Sequence, residues 1–416
     1  MSNNLVTDAI NSVLNGLGSF CKFFSANDSG ETGAHQSGLL ISKSAKGMFF
    51  TESELAEHIF KIYGTARWQK DFSTPCTITW YASKNEIRIT GFGKGFPFIR
   101  PEYTGALFVM VKLNEGAFEN YVFNTDDEIQ EFLDAFGLTP AETNRPINVS
   151  SAIPSAVQGC NSQSLEAIER QAIDNFIQGL KSEFPSSSEM SRVAREIFDT
   201  VHGKKKLVVK DPDKIILDWT DQEYTLFKAI EQARYGDIVR QGFSSVEDFV
   251  VMANQVLNRR KSRAGKSLEH HLSFIFDYND IIYTAQAVTE GNKKPDFLFP
   301  SEDAYHDVNF SVDYLCTLAA KTTCKDRWRQ ILNEADRLRD KTKYLCTMQQ
   351  GISAAQMDEM YRENVVLVVP KAYISSYPPN KQDRIWTIKQ FVDHVKKLEE
   401  DSGWPISNQR KPAATI

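Results

Sequence analysis

Long apolar runs are missing from this chain of 416 residues. No uninterrupted stretch approaches the roughly 18 residues that a membrane-crossing helix needs, so a soluble protein with no membrane partner is expected. A basic leader is missing too. Met1 to Leu17 interleaves Asn, Asp and Ser with its apolar residues, which predicts an intracellular, cytoplasmic protein. The six cysteines, Cys21, Cys76, Cys160, Cys316, Cys324 and Cys346, show no C-x-x-C spacing. That excludes a disulfide or zinc framework and leaves reduced, mostly buried thiols. Nor is there an excess of positive charge: the net charge of −6 argues against a general nucleic-acid coat, which needs Lys and Arg in numbers to neutralise phosphates.

What the chain does contain is clustered. Hydrophobic residues make up 41% and charged residues 25%, both near the average for globular proteins, and the length suits two or three domains. Arg259, Arg260, Lys261, Arg263 and Lys266 crowd one segment, and Lys325, Arg327 and Arg329 another. An acidic protein can grip DNA through patches of this kind.

From about Phe20 to Leu138 short runs such as Cys76–Tyr81, Glu86–Thr90 and Ala106–Lys112 are punctuated by Gly91, Gly93, Gly95 and Pro97. This predicts a β-rich domain, a barrel or a sandwich. Composition shifts to Pro, Asn, Ser and Ala between Thr139 and Ser164, and Pro185 followed by three serines adds another break, so a linker with bridging helices is expected there. Beyond Asp221 helical and strand patterns alternate. Val246, Phe249, Val250, Ala253, Val256 and Leu257 have helical spacing, as do Leu268, Leu272, Ile275 and Phe276. Strands are expected at Tyr283–Val288, Asp296–Phe299, Tyr314–Lys321, Tyr344–Thr347 and Val365–Val369, and a helix after Lys325 with Trp328, Ile331, Leu332, Ala335 and Leu338 on one face. The fold class is therefore multidomain: residues 1–150 β-rich, 151–205 linker and bridging helices, 206–402 an α/β domain with a mixed sheet flanked by helices, and 403–416 a disordered tail.

Phosphodiester hydrolysis at neutral pH calls for divalent cations, and Mg2+ calls for carboxylate oxygens. A common nuclease arrangement places an Asp at one strand and an acid-x-Lys pair on the next, where residues i and i+2 share a face. Pro295-Asp296 supplies the Asp, and Lys321 ends an apolar strand. The residue two before Lys321 is Ala319, which cannot bind a metal, so the missing carboxylate is sought on the following helix at Glu334. Alone, Pro-Asp is a common turn dipeptide, a strand-end Lys is usually solvated and Glu334 would be a surface residue; the combination on successive elements carries the reading. Glu269 adds a further candidate carboxylate, and Lys321 has the compact ammonium suited to orienting water or stabilising phosphate charge. Gly265-Lys266-Ser267 resembles the end of a P-loop, but Arg260 stands where the first glycine belongs and a helix precedes it. His270 and His271 diverge by about 100° on a helix and lack a third ligand, so they read as helix-surface histidines rather than a zinc site.

Three blocks carry a resemblance: Asn258 to Glu269, Thr289 to Ser301, and Lys321 to Asp336. They resemble the EcoRII-like type II restriction endonucleases. The N-terminal half joins in through Ser25 to Asp28, Gly33 to Gln36, Asn85 to Gly95 and Thr104 to Leu107, which resemble the family's B3-like DNA-binding pseudobarrel. The resemblance implies a restriction-endonuclease-like C-terminal domain with a permuted PD-(D/E)xK site, a homodimer and double-stranded DNA as partner. It implies Asp296, Lys321 and Glu334 as the Mg2+-dependent catalytic core, with Asp296 and Glu334 as metal ligands and Tyr305 near the site. Lys325, Asp326 and Arg327 are implied as major-groove readers of C·G pairs, chemistry that fits donors for guanine and an acceptor for cytosine. Asn258 would approach from the minor groove, and Arg263 joins the implied DNA contacts. In the N-terminal half His35, Lys84, Glu86 and Arg88 match DNA-contacting positions, whereas Leu40 replaces a tyrosine and Ile87 and Ala82 replace lysines, which removes polar or basic contacts. The expected activity is cleavage at CCWGG-like sites, with the N-terminal domain binding an effector copy of the site and relieving a block on the cleft. A DNA-binding regulator without cleavage, and a nuclease for modified DNA, are the alternatives.

Overall fold

The computed structural model describes residues 4–33, 38–148, 164–203 and 206–403. His35, Cys160 and the expected tail beyond Gly403 lie outside them. The five other cysteines are buried free thiols, as expected.

The N-terminal unit is built on eight strands, β1 Gly18–Phe23, β2 Gly38–Ile41, β3 Ile59–Trp68, β4 Phe72–Tyr81, β5 Glu86–Thr90, β6 Leu107–Asn114, β7 Ala117–Phe123 and β8 Arg145–Pro146. They form one sheet in the order β2-β5-β4-β3-β7-β6-β1-β8. The sheet curls. Asp28 takes the Lys22 ammonium of β1 at 2.7 Å and the Leu40 N–H of β2 at 3.2 Å, which ties one edge strand to the far end of the sheet. The enclosed core is aromatic, with Trp68 packed against Phe92, Phe96, Phe98 and Phe108. Helix α1 (Leu5–Asn15) and helix α2 (Asp126–Phe136) bury Val6, Ala9, Val13, Ile129, Phe132 and Leu133 against the other face. A capping box between Thr125 and Glu128 opens α2, and Gly137, at φ 69°, closes it.

Helices α3 (Leu165–Gly179), α4 (Ser187–His202), α5 (Pro212–Gln241) and α6 (Val246–Tyr278) follow. At their centre Glu223 of α5 lies 3.4 Å from Arg263 and 3.1 Å from His271, both on α6, and accepts the Ser191 hydroxyl at 2.6 Å. Burial pushes the Glu223 carboxyl up, but the histidine and arginine outweigh it and hold its pKa at about 2. His271 is thus no surface residue. It is fully buried because its polar edge has an anionic partner, while His270 stays half-buried beside the Ser187 hydroxyl.

The C-terminal sheet runs β13-β12-β11-β10-β9, with β9 Thr284–Ala285, β10 Phe297–Phe299, β11 Cys316–Lys321, β12 Lys343–Thr347 and β13 Val365–Val368. Strands β11, β12 and β13 are parallel, and β10 is antiparallel to both β9 and β11. One face packs on α6 and on the helix Ile388–Ser402 through Phe276, Phe299 and Phe391. The other packs on Trp328, Ile331, Met357 and Tyr377. This is the expected mixed α/β arrangement, with the first strand shortened to two residues. The expected helix after Lys325 is instead a 3-10 segment, Arg327–Asn333, with a second at Asp336–Leu338. The reason is competition for its backbone groups. Thr289 donates to the Glu334 carbonyl at 2.6 Å and Asp336 N–H donates to Glu290 at 3.1 Å, so no helical ladder runs on from Asn333 through Asp336.

Candidate active site

Asp296 stands just before β10 and Lys321 at the end of its neighbour β11, which brings the two together. The Asp296 carboxylate accepts the Lys321 ammonium at 3.0 Å, the Ala320 N–H at 2.8 Å and the Gln286 amide at 3.0 Å. Glu334 closes the 3-10 segment Arg327–Asn333 rather than riding three turns into a helix. Burial and the nearby Asp296 charge raise its pKa to about 7, against the pull of Lys321. Glu269 of α6 feels the same two groups: burial first, then Asp296, raise its carboxyl, while Lys266 binds it at 2.8 Å. Glu334 and Glu269 thus both lie within electrostatic reach of the Asp296–Lys321 pair. Among the described residues no three His, Cys, Asp or Glu side chains are close enough to cage a metal. A divalent cation that keeps several waters needs only one or two carboxylates, and Asp296 with Glu334, whose carboxyl feels the Asp296 charge, offers a donor set of that kind.

Tyr305 is buried beside the cluster. Its hydroxyl donates to Glu290 at 2.6 Å and accepts the Arg337 N–H at 3.2 Å. It pins the loop that carries Glu334. Sequence reasoning did not single out Gln286 or Glu290, whose short polar contacts have no spacing signature.

The DNA-reading candidates are placed where sequence reasoning did not expect them. Lys325, Asp326 and Arg327 lie against the N-terminal unit. The Asp126 carboxylate, in the first turn of α2, accepts the N–H groups of Lys325 at 3.1 Å, Asp326 at 2.8 Å and Arg327 at 2.9 Å. Lys325 is buried, with its ammonium on the Thr104 carbonyl at 2.8 Å, and desolvation lowers its pKa to about 8. Arg327 pairs with Asp127 at 3.2 Å. The far end of α2 is also held: Arg263 donates to the Gly137 carbonyl at 2.8 Å and pairs with Glu142 at 3.0 Å, while Arg260 bonds the Ala135 carbonyl. Arg263 is only 3% exposed. It corrects the expectation of a DNA-facing side chain, because buried Glu142 and Glu223 neutralise it. Close backbone contact completes the junction, since a Cβ on Gly105 (φ 77°) would meet the Gly351 carbonyl oxygen at 2.1 Å. The capping box Thr125-x-x-Glu128 marks the start of α2 in the sequence, but nothing in it announces the Asp126 contact.

Asn258 is exposed on α6. Lys84 is exposed, and Glu86 and Arg88 pair on the outer side of β5. Ile87, between them, is fully buried. Strand alternation points it into the core, so the residue type there follows from packing. Leu40 sits across from Arg88 on β2 and is 41% exposed.

Asp126 and Asp326 compete for one proton. The Asp126 carboxylate, and then burial, raise Asp326 to about 6. For Asp126 burial acts upward, but the hydrogen bonds from Asp326, Arg327 and Thr323 outweigh it and keep it ionised. A carboxyl whose pKa is raised in the closed arrangement stabilises that arrangement below its pKa and less as pH rises through it. The contact between the N-terminal unit and the Lys325–Arg327 loop is therefore expected to be tighter at about pH 5.5 than at about pH 7.5, and Asp126→Ala to abolish that difference. Hydrogen-exchange protection factors of the loop amides, with and without the substitution, read it at both pH values. Protection that grows with pH would contradict the shared proton.

Two family models match the chain, "EcoRII C terminal" over residues 227–392 and "Restriction endonuclease EcoRII, N-terminal" over residues 14–136. The type II restriction enzyme EcoRII of Escherichia coli is 38% identical over 399 residues, which span 92% of this chain and 95% of that protein. Among solved structures, metal-depleted Ecl18kI in complex with uncleaved, modified DNA aligns with TM-score 0.44 at 18% identity, over 58% of this chain and 86% of that one. The PspGI–substrate DNA complex aligns with TM-score 0.43 at 17% identity, over 52% and 94%. Among the described residues no helix is long and apolar enough to cross a membrane. On the identity to EcoRII along nearly its whole length, this chain belongs to the EcoRII family of type II restriction endonucleases.

Proposed function

We propose that the chain is a Mg2+-dependent, site-specific deoxyribonuclease that cuts both strands of CCWGG-like sites as a cytoplasmic homodimer. The observation that carries this is the Asp296–Lys321 contact at 3.0 Å with Glu334 beside it. Asp296 and Glu334 would hold the ion, which when bound supplies charge stabilisation at phosphorus and an activated water. Lys321 orients the attacking water or meets the developing phosphate charge, Glu269 supplies a further carboxylate, and Tyr305 keeps the Glu334 loop in place. Lys325 and Arg327 are the donors for guanine and Asp326 the acceptor for cytosine N4; Asn258 approaches from the minor groove.

We further propose that residues 1–150 form a B3-like pseudobarrel that binds an effector copy of the site through His35, Lys84, Glu86 and Arg88. Residues 151–205 link it to the nuclease domain at 206–402. The contacts of Asp126, Asp127 and Thr104 with Lys325–Arg327 support a resting state in which the N-terminal unit occupies the reading loop. Cleavage of a two-site plasmid is expected to outrun that of a one-site plasmid at equal DNA concentration. Equal rates would remove the effector role and leave the nuclease. A second reading, recognition of modified DNA by the N-terminal unit, draws on Leu40 beside Arg88 where a tyrosine is absent; tighter binding of methylated than of unmethylated duplex would favour it.

A further inference from the structure

Gln286 is exposed just past the end of β9, and it holds a conformation that glutamine rarely adopts. Its φ is 53°, in the left-handed region where a Cβ crowds the backbone and where Gly, Asn and Asp are the usual occupants. Five of the eight described non-glycine residues at positive φ are Asn or Asp; the other three are Gln69, Lys70 and Gln286. Each of these long side chains has a partner that its position serves. The Gln69 amide accepts the Val122 N–H and donates to the Val122 carbonyl, Lys70 pairs with buried Glu119 at 2.8 Å, and the Gln286 amide donates to Asp296 Oδ1 at 3.0 Å. The Gln286 N–H also donates to the Asp296 carbonyl at 3.1 Å, so one residue grips Asp296 at both its main chain and its side chain. A residue selected for the turn alone would be glycine, which reaches this φ without strain; glutamine adds the amide.

The Asp296 carboxylate has about four acceptor sites on its two oxygens. Oδ2 takes two donors, the Lys321 ammonium at 3.0 Å and the Ala320 N–H at 2.8 Å. On Oδ1 the Gln286 amide fills one site, and among the described residues the other stays open. We propose that Gln286 is a positioning residue for the divalent ion: its amide fixes the plane of the Asp296 carboxylate and leaves a single acceptor site of Oδ1 for the ion. This rests on the reading that Asp296 is a metal ligand. The donors on Oδ2 anchor one oxygen only, so without the amide the carboxylate is free to twist about its last bond and Oδ1 turns to water. The ion would then have to order the group as it binds, which weakens its affinity.

The test is calorimetric titration of Ca2+, a second oxygen-seeking cation, into the full chain bound to a CCWGG-like duplex, for the unsubstituted protein, Gln286→Gly and Gln286→Met. Glycine keeps the left-handed turn and methionine keeps the side-chain length; both lack the amide. Both variants are expected to raise the Ca2+ dissociation constant about 10- to 100-fold, with ion-free DNA binding within about twofold, and their deficit in plasmid cleavage is expected to shrink as Mg2+ is raised. Ion affinity retained by either variant overturns the proposal, and its retention by Gln286→Gly alone assigns residue 286 to the turn. Ion affinity lost together with ion-free DNA binding also overturns it, because that loss reports a disturbed fold. Asp296→Ala separates the two levels. If it binds Ca2+ no differently from the unsubstituted protein, the metal-ligand reading itself fails; if it loses the ion while the Gln286 variants keep it, only the role of Gln286 falls.

Discussion

Replacing Asp296 with Ala is expected to lower DNA cleavage by at least about 1000-fold while leaving DNA binding within a few-fold. Two losses combine. The carboxylate is a proposed metal ligand, and removal of a group that stabilises transition-state charge typically costs about 100- to 1000-fold by itself. Asp296 also holds Lys321 at 3.0 Å and the Ala320 N–H at 2.8 Å, so its loss frees the ammonium from its place at the reacting phosphate. Asp296→Asn separates the two effects. It keeps a hydrogen-bond acceptor for the Ala320 N–H but has no charge for an ion or for Lys321, and should be nearly as inactive. Initial rates on supercoiled plasmid, with binding measured in Ca2+, give both numbers. Cleavage retained within tenfold would show that the reacting phosphate lies elsewhere.

Asp126→Ala is expected to act in the opposite direction, raising cleavage of one-site DNA about 10- to 100-fold. One carboxylate receives three backbone N–H groups of the reading loop. Hydrogen bonds to charged groups contribute about 1.5–3 kcal/mol each, but the loop regains water or DNA on release, so a net of about 1.4–2.7 kcal/mol is reasonable for the set. The neighbouring Asp127→Ala serves as the control. That residue is 96% exposed at its side chain and, among the described residues, pairs with Arg327, and exposed pairs contribute at most about 1 kcal/mol; its effect should stay under about fivefold. If both variants leave one-site cleavage unchanged, α2 does not restrain the loop. If Asp127→Ala exceeds Asp126→Ala, long-range charge and not the backbone clamp holds the domains.

Much of the active site was legible from the sequence because strand geometry is local. Pro295-Asp296 before one apolar run and Lys321 at the end of the next put an acid and a lysine at one place on adjacent strands, and they meet at 3.0 Å. Glu334 was found as the replacement for Ala319, but its helix was not, because hydrogen bonds from Thr289 and to Glu290 break the ladder and neither partner is near in sequence. Arg263 and His271 were misjudged for one shared reason. Polar residues on an amphipathic helix read as solvated, whereas Glu223, 40 residues from Arg263 and 48 from His271 along the chain, takes both into the interior, and Glu142, 121 residues from Arg263, adds to its pairing. The periodicity of Val246 to Leu257 correctly gave a helix, but periodicity reports a face and not what covers it. Contacts between the two units, Asp126 above all, depend on docking that no local pattern encodes.

The most direct test of the central claim is digestion of an unmethylated plasmid with several CCWGG sites, with Mg2+ and with the ion chelated. Discrete fragments whose sequenced ends share one site, formed only with Mg2+, are the expected result. Intact plasmid under both conditions, with DNA nevertheless bound, would contradict a magnesium-dependent nuclease.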